Sequence, residues 1–440
     1  MKKLTFTFLL LMSVCSMFAS DFTVDGLNYS TLTDSTVQVS RGTYSGSITI
    51  PANVTYNNVS YSVTSIDDYS FTYCTGLTSI NLPSSITSIG NAAFGGCNAL
   101  TSVTIPSAIT SIGDYAFSIW GIINVDTNNP NYTSQDGLLY NKNITKLIQC
   151  PLSKKGYFII PASVTTIGVG AFEGCASLTS ITIPSSVTSI GYYAFSRCMG
   201  LSSLAIPYSV ISIGDGAFEN CSGLINVESN NPNYTSQDGL LYNKTITTLI
   251  QCTISKKAKM TIPSSVSSIG NGAFYGCTDL SSIIIPFSVN SIGNFAFGGC
   301  SGLTSIYTYV TVPTILSDTY VFSDVNKTTC TLYVPIGLLS AYKNAAYWQD
   351  FVNIVEFDAS AVSNPTNTTT KIIFNSATGT IQILGTDVPV QASIYNMNGM
   401  LVKCSVVSIG KSLPVQSLPK GIYVVKVVVN NEVMSQKVVI

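Results

Sequence analysis

The residues of this sequence best suited to chemistry are its thiols, and they lie at a fixed spacing. Seven cysteines fall into three groups whose neighbours are 23 residues apart: Cys74 and Cys97; Cys175, Cys198 and Cys221; Cys277 and Cys300. Such thiols could form disulfides, bind a metal ion or act as nucleophiles. The chain has no histidine, which removes the usual base of a catalytic cysteine and the commonest metal ligand. We therefore expect neither a cofactor nor a metal site.

The 23-residue interval favours stacked turns of chain over bridged pairs. Adjacent strands lie about 4.8 Å apart, which is within disulfide range by distance. The Cβ vectors of equivalent residues in stacked turns are parallel, however, and suit a bridge poorly. We expect a ladder of small buried thiols, with disulfides between neighbouring turns as the alternative.

Two carboxylates are the best candidates for hydrolytic chemistry. Glu173 and Glu219 occupy equivalent places two repeats apart, which is roughly 10 Å or more by strand spacing. That separation is too large for the carboxylate pair of a retaining glycosidase. We expect no enzyme, and a polysaccharide-active enzyme is the least favoured alternative.

Prolines and phenylalanines keep the same interval as the cysteines. A fixed period of this length indicates a solenoid, in which each unit buries its face by stacking on its neighbours. In the stretch LTSVTIPSAITSIGDYAFSIW at 100–120, Val103 and Ile105 alternate inward on a short strand while Ser102 and Thr104 point outward.

The second half of the unit is expected to turn a corner. Pro106 ends the strand because it has no N–H to donate. Ile109 and Ile112 are expected to turn inward, Gly113 to permit a tight corner, and Asp114 to cap a single helical turn. The expected fold is therefore mainly β with short helical turns, a solenoid of 23-residue units.

The string NNPNYTSQDGLLYNK occurs twice, at 128–142 and 230–244. Its turn formers flank strand-like residues, so each copy is expected to form a hairpin within an enlarged unit. Two short units and one long unit then make a super-repeat of 102 residues. A calcium site is the alternative explanation, because acids lie among the asparagines: Asp126 and Asp136, then Glu228 and Asp238.

Charge and hydropathy indicate an exported chain. The net charge is −1 and only 9% of residues are charged, so nothing directs the chain toward nucleic acid. Residues 1–20 are typical of a signal peptide, with Lys2 and Lys3 before an apolar core; Cys15 makes lipidation the alternative. No later run approaches about 18 apolar residues, so no transmembrane segment is expected.

Several stretches together carry a family likeness. LTSITIPSSVTSIGYYAFSRC at 178–198, the doubled hairpin, and TLYVPIGLLSAYKNAAYWQDFVNIVEF at 331–357 resemble the BspA-like leucine-rich repeats of Bacteroidetes and treponemes. The resemblance covers roughly 22–358. It implies a right-handed leucine-rich-repeat solenoid with a sheet on one face. It also implies a cell-surface or secreted binding protein, since some members are adhesins for host matrix proteins or other bacteria.

The last 70 residues change in character. IYNMNGMLV at 394–402, LPKGIYVVKV at 418–427 and the final KVVI resemble the C-terminal sorting domain of the type IX secretion system. Alternating apolar residues with Asn-Gly and Lys-Gly turns independently predict a small β-sandwich. The resemblance implies recognition by the type IX machinery, removal after transport and attachment to surface lipopolysaccharide. The motif positions are Asn398, Gly399, Lys420, Gly421, Tyr423 and Lys437.

These patterns divide the chain into six parts. They are a signal peptide at 1–20, an N-terminal cap at 21–66, the solenoid at 67–302, its C-terminal cap at 303–357, a linker at 358–370 and the sorting domain at 371–440. The expected location is the cell surface or the extracellular space.

The outward sheet face carries small residues and lacks the Tyr, Trp and Arg that dominate interface energies. Such residues occur at the corners and after the prolines, and they are the candidate binding residues: Tyr115, Tyr192, Tyr193, Arg197, Tyr208, Phe287 and Phe295. Host matrix or bacterial surface proteins or glycans are the expected partners. Two alternatives remain: the aromatics only cover neighbouring turns, or the protein is a structural spacer or surface-matrix component without a ligand.

Overall fold

A computed structural model describes most of the chain. The described residues are 21–253, 258–316, 319–359, 371–375, 378–384, 390–396, 400–407, 412–429 and 432–440. The chain divides into two compact units, Met1–Val355 and Glu356–Ile440. The predicted signal peptide and residues 360–370 of the predicted linker lie outside the described residues.

Six strands begin the first unit: β1 (Phe22–Val24), β2 (Leu27–Thr33), β3 (Thr36–Val39), β4 (Ser45–Thr49), β5 (Asn53–Tyr56) and β6 (Val59–Ile66). Five of them belong to one mixed sheet, whereas β4 pairs in parallel with the first long strand of the coil. The strands β1, β2 and β3 form a meander, while β6 pairs antiparallel with β5 and parallel with β3.

The repeats then wind into a coil with two parallel walls. The strands, in chain order, are β7 (Gly76–Asn81), β8 (Ser88–Ile89), β9 (Ser102–Ile105), β10 (Ser111–Ile112), β11 (Ile122–Val125), β12 (Tyr132–Gln135), β13 (Leu138–Asn141), β14 (Lys146–Gln149), β15 (Gly156–Ile159), β16 (Thr166–Ile167), β17 (Leu178–Thr182), β18 (Ser189–Ile190), β19 (Ser203–Ile206), β20 (Ser212–Ile213), β21 (Leu224–Val227), β22 (Tyr234–Gln237), β23 (Leu240–Asn243), β24 (Thr248–Gln251), β25 (Lys259–Thr261), β26 (Ser268–Ile269), β27 (Ser282–Ile285), β28 (Ser291–Ile292), β29 (Ser305–Thr308), β30 (Thr331–Pro335) and β31 (Asn353–Phe357).

The first wall, which we call the long-strand wall, contains the strands predicted before each proline. Val103 and Ile105 of β9 are buried and Ser102 and Thr104 are exposed, which confirms the alternation. The second, short-strand wall is built from two-residue strands that pair in parallel, as β8 pairs with β10. Sequence analysis missed this wall because two residues show no alternation.

The predicted hairpins are present, and each belongs to a turn of its own. In the first long unit, β11 pairs with β9 of the long-strand wall, and β14 pairs with β16 of the short-strand wall. The antiparallel hairpin β12–β13 lies between β11 and β14. The strands β21–β24 repeat this arrangement. Each long unit therefore contains two turns of the coil, one of which carries the hairpin.

Stacked phenylalanines fill the coil in three columns. The columns are Phe71, Phe94 and Phe117; Phe172, Phe195 and Phe218; and Phe274, Phe297 and Phe322. Neighbouring rings have centroids 5.0–5.7 Å apart and lie within 14° of parallel. The core of the coil accordingly forms three clusters that meet at the hairpin-bearing turns.

Aromatic side chains close the C-terminal end of the coil. A 3₁₀ turn at Thr319–Phe322 and the helix α1 (Leu339–Lys343) precede the last strand. The buried Tyr342 hydroxyl donates to the Val310 carbonyl at 2.9 Å, and the Trp348 indole donates to the Thr314 carbonyl at 2.8 Å. No helix in the described part of the chain is long and apolar enough to cross a membrane.

The second unit consists of antiparallel sheets. Its strands are β32 (Lys371–Asn375), β33 (Thr380–Leu384), β34 (Val390–Asn396), β35 (Leu401–Val407), β36 (Ser412–Pro414), β37 (Ile422–Val429) and β38 (Glu432–Val439). One sheet has the order β32-β33-β36 and the other β35-β34-β37-β38. They share one apolar cluster that includes Ile381, Ile394 and Val425.

Candidate functional site

The candidate residues at the corners lie in a segment that joins the short strand of one turn to the long strand of the next. In GYYAFSRC at 191–198 this corner buries Ala194, Phe195 and Cys198. Its third and seventh residues, Tyr193 and Arg197, have φ angles of 52° and 59°. The left-handed region is unfavourable for residues with a Cβ, so these two positions are conformationally demanding.

The third corner position carries either an aromatic residue or a small one. Tyr115, Tyr193 and Phe295 occupy it with φ angles between 52° and 60°. Gly216 occupies it in the turn after Tyr193, and Gly170 occupies it in the second turn after Tyr115, beyond the hairpin-bearing turn. A Cβ on Gly216 would clash with the ring of Tyr193, and a Cβ on Gly170 with the ring of Tyr115. Each ring thus lies across the next glycine, which shows that the corner tyrosines do cover neighbouring turns.

A charged cluster lies beside these rings. The Arg197 guanidinium is 3.8 Å from the Glu173 carboxylate. Burial raises the pKa of Glu219 to about 7, with Arg197 opposing the shift and Glu173 adding to it. Burial also raises the pKa of Tyr193, with smaller contributions from nearby carboxylates that include Glu219 and Glu173. The cluster offers hydrogen-bond donors, acceptors and aromatic surface to a partner.

The other candidates are exposed, and some are separate from the corner. Tyr192 is 55% exposed and precedes Tyr193 at the corner. Tyr208 and Phe287 are 48% and 71% exposed, but they follow the prolines that end the long strands, so the short strand separates them from the corner along the chain. The seven candidate residues therefore form two groups, one at the corners and one after the prolines.

Sequence analysis missed further aromatic residues of the corners. Tyr320 occupies the third corner position and stacks on Phe295 with ring centroids 5.0 Å apart. Tyr275 meets Phe295 edge-on at 6.1 Å. Tyr69 and Tyr73 occupy the third and seventh positions of the first corner, also with positive φ. Aligning every corner by its phenylalanine would have found them.

The predicted capping residue has another role. Asp114 follows the short strand but caps no helix, because the corner is a series of hydrogen-bonded turns. The Asp68 carboxylate accepts the Asn91 backbone N–H at 2.6 Å, and the Asn91 amide oxygen accepts the Asp114 backbone N–H at 2.9 Å. We call this series of bonds the Asx ladder. Gly113 has no positive φ; a Cβ there would lie 2.5 Å from the Asn91 nitrogen, so close stacking requires glycine.

The ladder cysteines are buried free thiols, and their sulfurs make polar contacts. Four of them lie within hydrogen-bond distance of a phenylalanine carbonyl in the preceding turn, at 2.8–3.1 Å: Cys97, Cys198, Cys221 and Cys300. Cys74, Cys175 and Cys277 are placed near other carbonyls of the preceding turn at 3.5–3.9 Å. Cys150, Cys252 and Cys330, which sequence analysis left out, are also buried free thiols.

The remaining predicted positions lie mainly in loops and the second unit. The Asp126 carboxylate accepts the Asn128 backbone N–H at 2.8 Å, and no group of three or more Cys, Asp or Glu able to hold a metal ion occurs among the described residues. Of the sorting motif, Asn398 and Gly399 lie outside the described residues. Lys420 and Lys437 are exposed, Tyr423 donates to the Pro419 carbonyl at 2.8 Å, and Gly421 exchanges two backbone hydrogen bonds with Ile440.

Two family models match the chain. The model described as a BspA type leucine rich repeat region matches residues 49–155, 149–259 and 251–345, with six copies. The model described as a secretion system C-terminal sorting domain matches residues 363–440. No curated protein matches the chain.

Solved structures of other repeat proteins are also similar. A leucine-rich cell surface protein from Faecalibacterium prausnitzii is 24% identical, with 78% of this chain and 95% of that chain covered and a TM-score of 0.42. The pneumococcal vaccine antigen PcpA is 18% identical, with coverages of 77% and 98% and a TM-score of 0.33. A leucine-rich repeat protein from Eubacterium ventriosum is 25% identical, with coverages of 71% and 76% and a TM-score of 0.35.

Proposed function

Because the chain belongs to the BspA-type leucine-rich repeat family and ends in a secretion system sorting domain, we propose that it is an adhesin-like, non-catalytic binding protein. The sorting domain indicates export by a type IX system to the cell surface or the extracellular space. The proposed partners are proteins or glycans of the host matrix or of bacterial surfaces.

The observation that carries this proposal is the row of exposed side chains at the corners. Tyr193 and Phe295 are 41% and 39% exposed, although both occupy a left-handed position where other turns carry glycine. Strained positions of this kind tend to occur at functional sites. Tyrosine and arginine, here with Arg197 beside Tyr193, are the residues that concentrate binding energy in interfaces.

The repeat itself supplies replacements that the fold already accepts. A corner variant carries Tyr193→Gly, Arg197→Gly and Phe295→Gly, because glycine occupies these positions in other turns. A matched control carries Tyr208→Ser and Phe287→Ser, because serine follows the proline in several turns, as at Ser84. Both variants should melt close to the wild-type temperature.

Binding of the full chain is then measured on immobilised matrix proteins, glycans and bacterial surface fractions. The corner variant is expected to lose roughly tenfold or more in affinity, as for removal of one or more hot-spot residues, while the control keeps most of it. Equal binding by the corner variant and the wild type would reject the corner as the site. Absence of saturable binding across the panel would favour a structural spacer.

A further inference from the structure

A cleft opens in the short-strand wall at the first hairpin. The wall is interrupted between β10 and β14, and again between β20 and β24. At the first interruption a cleft of about 290 Å³ remains, and its side-chain lining includes Asp114, Tyr115, Asn131, Tyr132, Asn141 and Lys146. Its volume is at the small end of the range for small-molecule sites, so it suits a compact ligand.

The Asx ladder ends at this cleft. The Asp68 and Asn91 side chains each accept a backbone N–H of the next turn, but the turn after Asp114 is the one that carries the hairpin. As a result, no described residue bonds the Asp114 carboxylate. The Lys146 ammonium, which lines the same cleft, also bonds no described residue. The site therefore presents one acceptor group and one donor group of opposite charge.

The second hairpin provides an internal comparison. There Asn271 donates its side-chain N–H to the Asp215 carboxylate at 2.9 Å and spans the interruption. The first copy has Val169 where the second has Asn271, and a valine cannot make this bond. Tyr115 and Lys146 are likewise replaced, by Gly216 and Thr248. The two hairpin sequences are identical, so the formation of the hairpin turn does not explain why the residues around the two interruptions differ.

The geometry points to a binding site for a single neutral sugar ring in this cleft, held by Asp114 and Lys146. The charges of Asp114 and Lys146 cancel, so the cleft does not favour a ligand of either net charge. Its side chains combine donors and acceptors, which matches hydroxyl groups that do both. The rings of Tyr115 and Tyr132, with Ile112 and Ile148, supply apolar surface for the C–H face of a sugar.

The cleft includes the corner positions Asp114, Tyr115 and Val169, of which Tyr115 is also a candidate binding residue, and the inference extends beyond the proposed adhesion. It is tested on the full chain by ligand-observed NMR and calorimetry with free neutral hexoses and N-acetylhexosamines, and with free glycine and alanine as zwitterionic probes. The variants are Asp114→Ala, Val169→Asn, which supplies the amide that closes the second copy, and the matched control Asp215→Ala.

One saturable site per chain for at least one neutral sugar is expected. Asp114→Ala and Val169→Asn should each weaken that binding about tenfold or more, whereas Asp215→Ala should leave it unchanged. Thermal melting of each variant reports folding separately. The proposal is overturned if no neutral sugar saturates a site, if only the amino acids bind, or if Asp215→Ala weakens binding as much as Asp114→Ala. Loss of adhesion without loss of sugar binding would affect only the function proposed above.

Discussion

The buried thiols contribute polar contacts between turns as well as packing. The Cys198 sulfur lies 3.1 Å from the Phe172 carbonyl of the preceding turn. Burial raises the pKa of Cys97 to about 12 and that of Cys330 to about 11. Because the thiolate is the reactive form, these thiols are protected from reaction in two ways: they are inaccessible to reagents, and they remain protonated at neutral pH.

Thiol labelling of the folded chain should therefore be selective. Cys404 is exposed and its pKa is lowered by hydrogen bonds from Ser393 and Gln391, so an alkylating reagent at neutral pH should modify it first. Peptide mapping by mass spectrometry should find the ladder cysteines labelled only after denaturant is added. Rapid labelling of Cys198 in the native protein would contradict the buried ladder.

The half-buried Glu219 carboxylate should make the stability of the protein depend on pH. Burial raises the pKa of Glu219 from 4.5 to about 7, so between these values the folded protein binds the proton more tightly than the unfolded chain does. Stability then falls as the pH rises through this window. Glu219→Gln should stabilise the protein at pH 8 by about 1 kcal/mol, after allowance for solvent screening of a half-buried group, and have little effect at pH 5.

Urea unfolding at the two pH values measures this difference. Asp279→Asn, which changes an exposed carboxylate, is the matched control and should show no such pH-dependent gain. A Glu219→Gln protein that unfolds at the same urea concentration as the wild type at both pH values would show that the carboxylate is fully solvated.

The role of a residue could be predicted where the repeat pattern alone determines it, and not where it depends on a bond to the adjacent turn. The burial of Phe195 and Cys198 follows from their period. The Asx ladder could not be predicted in this way. An Asp or Asn side chain can cap a helix or bond the backbone of the adjacent turn, and only the distance between stacked turns decides between these two roles. The role of the corner aromatics in binding stays a prediction.

Among the elements, each of the two identical hairpin sequences contains a buried asparagine that makes the same set of hydrogen bonds. Asn129 is fully buried, and its amide donates to the Pro106 and Ile109 carbonyls at 2.8 and 3.1 Å. Its oxygen accepts the Asn131 and Tyr132 backbone N–H groups, both at 2.8 Å. Asn231 repeats these bonds in the second copy.

Asn129→Asp should be strongly destabilising although it barely changes the shape. The carboxylate cannot donate to the two carbonyls, so a buried charge faces two acceptors. A loss of about 3 kcal/mol is expected in urea or thermal unfolding. The neighbouring Asn128, which is exposed, provides the control: Asn128→Asp should cost less than about 0.5 kcal/mol. Equal effects would remove Asn129 from its structural role.

The long-strand wall and the hairpins were predictable because alternation and turn residues are local signals. The short-strand wall was not, since a Ser-Ile pair becomes a strand only when another turn stacks on it. The division of each long unit into two turns was also hidden, because β11 and β21 both lack the proline that follows most other long strands. The short strands and the division of the long units therefore depend on stacking between turns rather than on local sequence preference.

For the coil as a whole, the three phenylalanine columns lead us to expect three cooperative blocks. The two hairpin-bearing turns separate the three columns, and the buried clusters divide at the same places. In repeat proteins each unit is stabilised by its nearest neighbours, so a change within one column should act mainly on its own block.

Hydrogen exchange can test this division. Phe195→Ala, which removes the central ring of the middle column, should cost about 3–5 kcal/mol locally. Amide exchange should accelerate at 144–241 and change much less at 22–125 and 258–351. Phe94→Ala is the matched variant and should shift the effect to the first block. Uniform acceleration along the coil would show that the three blocks unfold as one.

The parallel pairing of successive turns also determines how the coil responds to tension. Hydrogen bonds between stacked strands run along the axis of the coil, perpendicular to the strands, so a pull on its two ends loads them lengthwise. Each released turn of 23 residues adds about 80 Å of extended chain. Because the three blocks are expected to unfold separately, the coil should lengthen in steps under shear and absorb mechanical work before the whole fold is lost.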